Sequence, residues 1–265
     1  MCRNDFLKIH GHASLLERGI SLYSFDSINS TNSFAREMFV SGEGKAPALV
    51  VSDSQSEGRG RMGRSFYSPS GTGIYMTLVL DVTDCDVRST VKITSASAVA
   101  VSRAIERITG KRVGIKWVND LYLDQKKVCG ILAESFVADG KRYVMVGVGI
   151  NLCTKCFPTE LSGIAGSLEA SVEKEVRREL VLAACCEILD TYTALCGGDV
   201  SYMGEYRERS VVIGRRIRFM SGERMGEGVA VSIDDSGALK VLCDGGVEIS
   251  LCSGEITIRL SEVDK

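Results

Sequence analysis

Between residues 113 and 150, strand-like apolar runs follow one another with turns too short to hold a helix, and this constrains the fold more than any other feature. The runs are 113–116, 121–123, 128–137 and 143–150, and the breaks include Asp124-Gln125-Lys126 and Ala138-Asp139-Gly140-Lys141. An Asp-Gly pair between apolar runs favours a tight hairpin. Strands joined by hairpins are antiparallel, because a parallel neighbour needs a crossover of a dozen or more residues. A doubly wound nucleotide fold is therefore excluded, and an α+β antiparallel sheet carrying helices is expected.

The rest of the chain fits around this meander. A short strand at 22–25 precedes a helix with Phe34, Ala35, Met38 and Phe39 on one face, and Ser30 or Thr31 is a natural N-cap for it. Strands are expected at 48–53 and 73–80, a long helix at 90–108 stopped by Gly110, and helices at 173–195 and 202–208. After Ser210 five short runs, 211–220, 228–233, 239–243, 247–251 and 256–260, alternate with Gly- and Asp-rich turns. Even spacing of short strands predicts a small barrel. The chain thus divides into an N-terminal extension (1–20), a main domain (21–209) and a barrel (210–265), with few core contacts crossing the boundary near 210.

Against this frame, Gly58-Arg59-Gly60-Arg61-Met62-Gly63-Arg64 stands out, with three glycines and three arginines in seven residues. Glycine lets the backbone take positive φ or approach a ligand, and arginine offers a planar fork to phosphate or carboxylate oxygens. A loop wrapping an anion is the sharper reading, and a solvated basic turn the blander one. Gly58, Gly60 and Gly63 also match the dinucleotide fingerprint G-x-G-x-x-G, and Asp81 falls about twenty residues on. The third glycine should open a helix there, whereas Ser68-Pro69-Ser70-Gly71 makes a turn into another strand.

Composition removes other classes. The formal net charge of −2 gives no general nucleic-acid or membrane-surface signal, and no apolar run approaches a membrane span. The N-terminus has no apolar h-region, and a cytoplasmic protein is expected. The ten cysteines are then read as reduced thiols filling core space. The only histidines, His10 and His12, lie at the N-terminus, which argues against a Ser-His-Asp or Cys-His engine downstream. A metal role for that pair lacks further ligands. Cys153 and Cys156 form a C-x-x-C without a partner pair at zinc spacing. Neither a P-loop nor a G-x-S-x-G elbow is present.

Lys116-Trp117-Val118-Asn119-Asp120 is denser in chemistry, with Lys126-Lys127 soon after. Trp117 is either a core indole in a hairpin or the wall of an apolar pocket, and Asn119-Asp120 could face a phosphate or its metal. Gly147 and Gly149 put glycine inside a strand, where backbone must pass close to something.

Taken in order, Gly58–Arg64, Lys116–Asp120, Lys127-Val128-Cys129-Gly130-Ile131-Leu132 and Gly147-Val148-Gly149-Ile150-Asn151 resemble biotin protein ligases, with Ser30-Thr31-Asn32 and Gln55 matching upstream positions. Gly254 to Arg259 resembles the end of that family's C-terminal domain, and Val118 departs from the family's usual proline. The resemblance implies a class II aminoacyl-tRNA synthetase-like catalytic domain over 21–209 and an SH3-like barrel after it. It implies a ligase that activates biotin with MgATP to biotinyl-5′-AMP and transfers it to a lysine of a biotin carboxyl carrier protein. No resident metal, nucleic acid or membrane is implied, and a homodimer is compatible. By matching position, Ser30, Thr31, Asn32, Gln55, Gly58, Arg59, Gly60, Arg61, Trp117, Asn119, Lys127, Gly130, Gly149 and Asn151 would bind substrate. Lys127, Arg59 and Asp120 would carry catalysis, and the Glu255 to Arg259 end would lie against the ligand. Lipoate ligation on the same fold is the nearest rival. A biotin-responsive DNA regulator is the rival of another class, for which residues 1–20 are too short to supply a DNA-reading domain.

Overall fold

The computed structural model describes residues 9, 12–85, 90–222, 224–252 and 254–258. After α1 (Ala13–Glu17) the chain runs β1 (Ser21–Ile28), α2 (Thr31–Val40), β2 (Ala48–Gln55), β3 (Gly73–Asp81), α3 (Thr90–Thr109), β4 (Gly114–Lys116) and β5 (Asp120–Leu123). It continues through β6 (Lys126–Ala138), β7 (Lys141–Asn151), α4 (Lys174–Cys196) and α5 (Tyr202–Glu208). Five strands finish it: β8 (Arg216–Ser221), β9 (Arg224–Ile233), β10 (Leu239–Cys243), β11 (Glu248–Leu251) and β12 (Glu255–Ile258).

The expected meander is present, as β4 to β7 are successive antiparallel neighbours in a seven-stranded sheet ordered β1-β2-β3-β7-β6-β5-β4. The sheet is mixed rather than wholly antiparallel, however. β1 and β2 pair in parallel, with Ser21 opposite Ala48 and Ile28 opposite Gln55. The reason is α2, which provides the crossover between them. The absence of a helix after the glycine-arginine stretch holds, since β2 returns antiparallel as β3.

One face of the sheet packs against α3 and α4 in a large apolar core, and α2 closes a smaller core around Phe39, Val50, Phe136 and Met145 on the other. β3 and β7, central in the sheet, are apolar along almost their whole length, as strands covered on both faces should be.

The last five strands form an antiparallel sheet ordered β11-β10-β9-β8-β12. Among the described residues its end strands do not pair, so it is an open sheet where a closed barrel was expected. Its inner face joins the main core without a break: Ile217, Phe219, Ala230 and Leu239 share one cluster with Ile115, Trp117 and Tyr206. Residues 209–211 lie alongside β4, with Ile115 N–H donating to Arg209 O at 2.7 Å and Val211 N–H to Ile115 O at 3.0 Å. A Cβ on Gly114 would strike Val211, so glycine is what lets this segment close on the sheet edge. Side chains of the two sheets thus meet in one buried cluster at the seam near residue 210.

The cysteines also depart from expectation, because Cys85 and Cys196 form a disulfide between the end of the β3 region and the end of α4. Cys153 and Cys156 are free thiols. Cys129 and Cys185 are buried among apolar side chains, which pushes their thiol pKa values up. No described helix is long and apolar enough to cross a membrane. His10 and Arg259 lie outside the described residues, and His12 contacts Ser14 Oγ at 2.9 Å.

Candidate active site

A cleft opens where the start of α2, the end of β2 and the segment joining β2 to β3 meet β6 and β7. One wall is neutral and fully knitted. Ser30 has extended backbone and its hydroxyl accepts from Ser33 N–H at 3.4 Å, so it is the N-cap. Capping there sets Thr31 and Asn32, both buried, in the first turn. Gln55 Oε1 accepts from Thr31 N–H at 2.8 Å and Thr31 Oγ1 at 3.1 Å, and Gln55 Nε2 donates to Ser68 Oγ at 3.0 Å. Behind them Thr77 Oγ1 stands 2.8 Å from Thr31 Oγ1 and 2.6 Å from Asn32 Oδ1. Asn32 lies so close over β7 that a Cβ on Gly147 would collide with its Oδ1.

The other wall carries positive charge from two separate stretches. The glycine-arginine segment folds on itself, with Gly60 N–H donating to Arg64 O and Phe66 N–H to Gly58 O, both at 2.7 Å. Its glycines do less conformational work than expected. Gly63 takes positive φ, but so does Met62 at 55°, while Gly58 is needed because a Cβ would strike Phe66 O. From this segment Arg59 reaches Glu134 at 3.5 Å, and Arg61 donates to Asn119 Oδ1 at 3.1 Å.

Lys127 comes from β6 and pairs with Asp120 at 2.7 Å. Asn119 is itself fixed, donating to Ile131 O at 2.9 Å and to Asp120 Oδ1 at 3.0 Å. Between the walls Met76, Ile131, Leu132 and Val148 make an apolar floor, and Phe66 lies over Gly130 and Gly149. A Cβ on either glycine would meet that ring, which gives the two glycines a packing reason in this structure.

Of the sequence candidates, Ser30, Thr31, Asn32, Gln55, Arg59, Gly60, Arg61, Asn119, Lys127, Gly130 and Gly149 line the cleft together. Gly58, Asp120, Trp117 and Asn151 do not. Gly58 supports the loop, and Asp120 faces Lys127 from behind. The pocket-wall reading of Trp117 is corrected: the indole is buried, and its N–H donates to Gly237 O at 2.9 Å across the seam with the C-terminal sheet. The peptide bond from Trp117 to Val118 is cis. Asn151 is buried and donates to Gly166 O at 3.0 Å, while Gly166 N–H holds Lys127 O at 2.9 Å. It supports Lys127 from a distance.

Sequence reasoning missed Phe66, Met76, Ile131, Leu132 and Val148, and did not count Gly147 among the site residues. It also missed Thr77 and Glu134, which hold the lining from behind. Phe66 had a readable signal, as an aromatic two residues beyond the arginine run. A threonine in an apolar strand such as Thr77 carries none, because it also reads as ordinary strand composition.

An apolar floor with a neutral polar wall suits an uncharged, hydrogen-bonding ligand body, and three cations on the facing side suit anionic oxygens. Residues 24–151 match the model of the biotin/lipoate A/B protein ligase family, and residues 212–259 match the biotin protein ligase C terminal domain. The bifunctional ligase/repressor BirA of Bacillus spizizenii is 35% identical over 232 residues, covering 84% of this chain and 70% of the relative. The biotin–[acetyl-CoA-carboxylase] ligase of Paracoccus denitrificans is 30% identical over 224 residues, covering 80% and 90%. The structure of the Aquifex aeolicus biotin protein ligase in complex with biotin and ATP superposes with a TM-score of 0.78 at 26% identity, over 91% of this chain and 99% of that one. This chain belongs to the biotin protein ligase family.

Proposed function

We propose that the cleft binds biotin and the magnesium complex of ATP, forms biotinyl-5′-AMP and pyrophosphate, and passes the biotinyl group to a lysine of a biotin carboxyl carrier protein or domain. The observation that carries this reading is the convergence of Arg59, Arg61 and Lys127, from two separate stretches of chain, on one cleft with a neutral opposite wall. In the first step a biotin carboxylate oxygen attacks the α-phosphorus and the bond to the pyrophosphate oxygen breaks. Two anions must meet, so preorganised cations lower the barrier without any proton transfer. In our reading Lys127, held by Asp120, lies at the developing charge, and Arg59 and Arg61 cover the adenylate. Ser30, Thr31, Asn32 and Gln55 receive the ring system of biotin.

In the second step the acceptor amine attacks the acyl carbon, AMP leaves, and the amine nitrogen loses its proton. The mixed anhydride is hydrolysable, which gives a covering segment its purpose. Among the described residues no group of three His, Cys, Asp or Glu side chains is placed to hold a metal. In our reading magnesium enters with the nucleotide, and the reaction runs in the cytoplasm, where ATP is supplied.

The test offers biotin and lipoate separately in an ATP–pyrophosphate exchange assay. Biotin-dependent exchange is expected, with little from lipoate. Exchange driven by lipoate alone would move the chain to the other branch of its family, and exchange with neither would end the proposal.

A further inference from the structure

Arg177 belongs to α4, far along the chain from the cleft, and is 5% exposed. Its Nη2 donates to Asp53 Oδ1 at 2.6 Å and to Gly73 O at 2.9 Å. Asp53 lies near the end of β2, just before the covering segment departs, and Gly73 is the first residue of β3, where that segment returns. One guanidinium therefore spans the neck of the segment that carries Arg59, Arg61 and Phe66.

The neck is tied further. Asp53 also accepts from Ser70 Oγ and from Gly71 N–H at 3.3 Å, and Tyr75 OH donates to Pro69 O at 2.9 Å. A Cβ on Gly73 would come within 2.6 Å of Ile150 O, so the backbone is pressed against β7 at this point. A buried ion pair is weak evidence for stability, because apolar side chains of similar volume often do as well. The bridge is therefore read for its place at the neck rather than for stability.

We propose that Arg177 is a positioning residue for the adenylate-covering segment. With the neck fixed by the Asp53–Arg177–Gly73 bridge, ordering the arginine-bearing tip over the intermediate restricts fewer residues than in a segment loose at its base. The inference rests on the reading that residues 58–64 cover biotinyl-5′-AMP.

The experiment compares the full-length parent with Arg177→Met and Arg177→Lys, below the melting temperature of each. Pyrophosphate exchange reports adenylation, and biotin labelling of bovine serum albumin reports escape of the reactive intermediate. Arg177→Met should raise albumin labelling about tenfold while exchange stays within about threefold of the parent, the first corresponding to roughly 1.4 kcal/mol of lost retention. Arg177→Lys, which keeps a donor to Asp53, should fall between. A loss of stability alone would lower the melting temperature without selective escape, so Arg177→Met labelling albumin at the parent's rate overturns the proposal. Should Arg177→Met not fold, Ser70→Ala loosens the same neck and should raise escape about two- to threefold, each roughly 0.4–0.65 kcal/mol on the same scale; an unchanged rate there is equally fatal. A parent that shows no biotin-dependent exchange would sink the ligase reading instead. Limited proteolysis of residues 56–72 without ligand then still decides whether the bridge fixes the neck, because Arg177→Met must be cut faster than the parent.

Discussion

The two walls of the cleft are built on opposite principles. On the neutral wall Thr31, Asn32, Gln55 and Thr77 are hydrogen-bonded to one another, with Glu134 and Ser68 accepting the two amide N–H groups, and all four but Gln55 are buried. Removing one member of such a set strands the others in a medium that cannot replace the lost bond. On the cationic wall each positive group has one side-chain partner that leaves donors for a ligand: Glu134 behind Arg59, Asp120 behind Lys127, and Asn119 in the lining beside Arg61. Arg59 and Glu134 are 45% and 23% exposed, so water already weakens that attraction. On the proposed function, the contrast is between a wall finished before substrate arrives and one that substrate would complete. Stability should reside in the first and rate in the second.

The sharpest way to break that division is Lys127→Ala. It should lower adenylation by about 10²–10³-fold, the scale for removing one preorganised group from a developing charge, and change ATP binding far less. Pyrophosphate exchange together with nucleotide titration checks it, and a rate within a factor of three of the parent would end the assignment. Arg61→Gly comes next. A charge-assisted hydrogen bond contributes about 1.5–3 kcal/mol, so biotinyl-5′-AMP should escape roughly ten- to a hundredfold faster. Albumin labelling measures that escape, and adenylation should suffer less because Arg59 and Lys127 remain.

Thr77→Val tests the opposite wall. It leaves Thr31 and Asn32 without a buried hydroxyl, and should cost about 1–3 kcal/mol in urea unfolding together with weaker biotin binding. Arg59→Gln should shift unfolding by less than about 1 kcal/mol while still slowing the enzyme. Stability losses of equal size for these two substitutions would erase the distinction between the walls.

The smallest effect is one of pH. Burial alone would raise the Asp53 pKa, but hydrogen bonds from Ser70 and Arg177 and the nearby guanidinium hold it below the ordinary value. Its contribution is thus present above the unfolded carboxylate value of about 3.9 and is lost as pH falls through the lower folded value. Asp53→Asn should flatten that limb of an acid-unfolding curve, whereas Thr77→Val should leave its shape unchanged.

The sequence made most of this site readable because its chemistry is local. Gly58 to Arg64, Asn119 and Lys127 announce themselves by residue type within short stretches. The fold's hairpins were legible for the same reason, since Asp139-Gly140 fixes a turn without help from distant residues. What escaped depends on long-range pairing. The parallel match of β1 with β2 lies hidden behind a helix of ordinary pattern. Trp117 gave two readings because an indole suits a pocket and a core equally, and only the position of Gly237 decides between them. Arg177 looks like any helical arginine until the fold brings Asp53 and Gly73 to it.

The unbroken core beneath the two sheets has a consequence for cooperativity. Across the seam Trp117 Nε1–H donates to Gly237 O at 2.9 Å and Arg207 Nε donates to Ile233 O at 2.6 Å. Releasing the C-terminal sheet would therefore uncover apolar surface and orphan polar groups in the very turn that presents Asn119 and Asp120. A partly melted molecule with an intact cleft has no favourable state to occupy, so heat should remove both sheets in a single calorimetric transition.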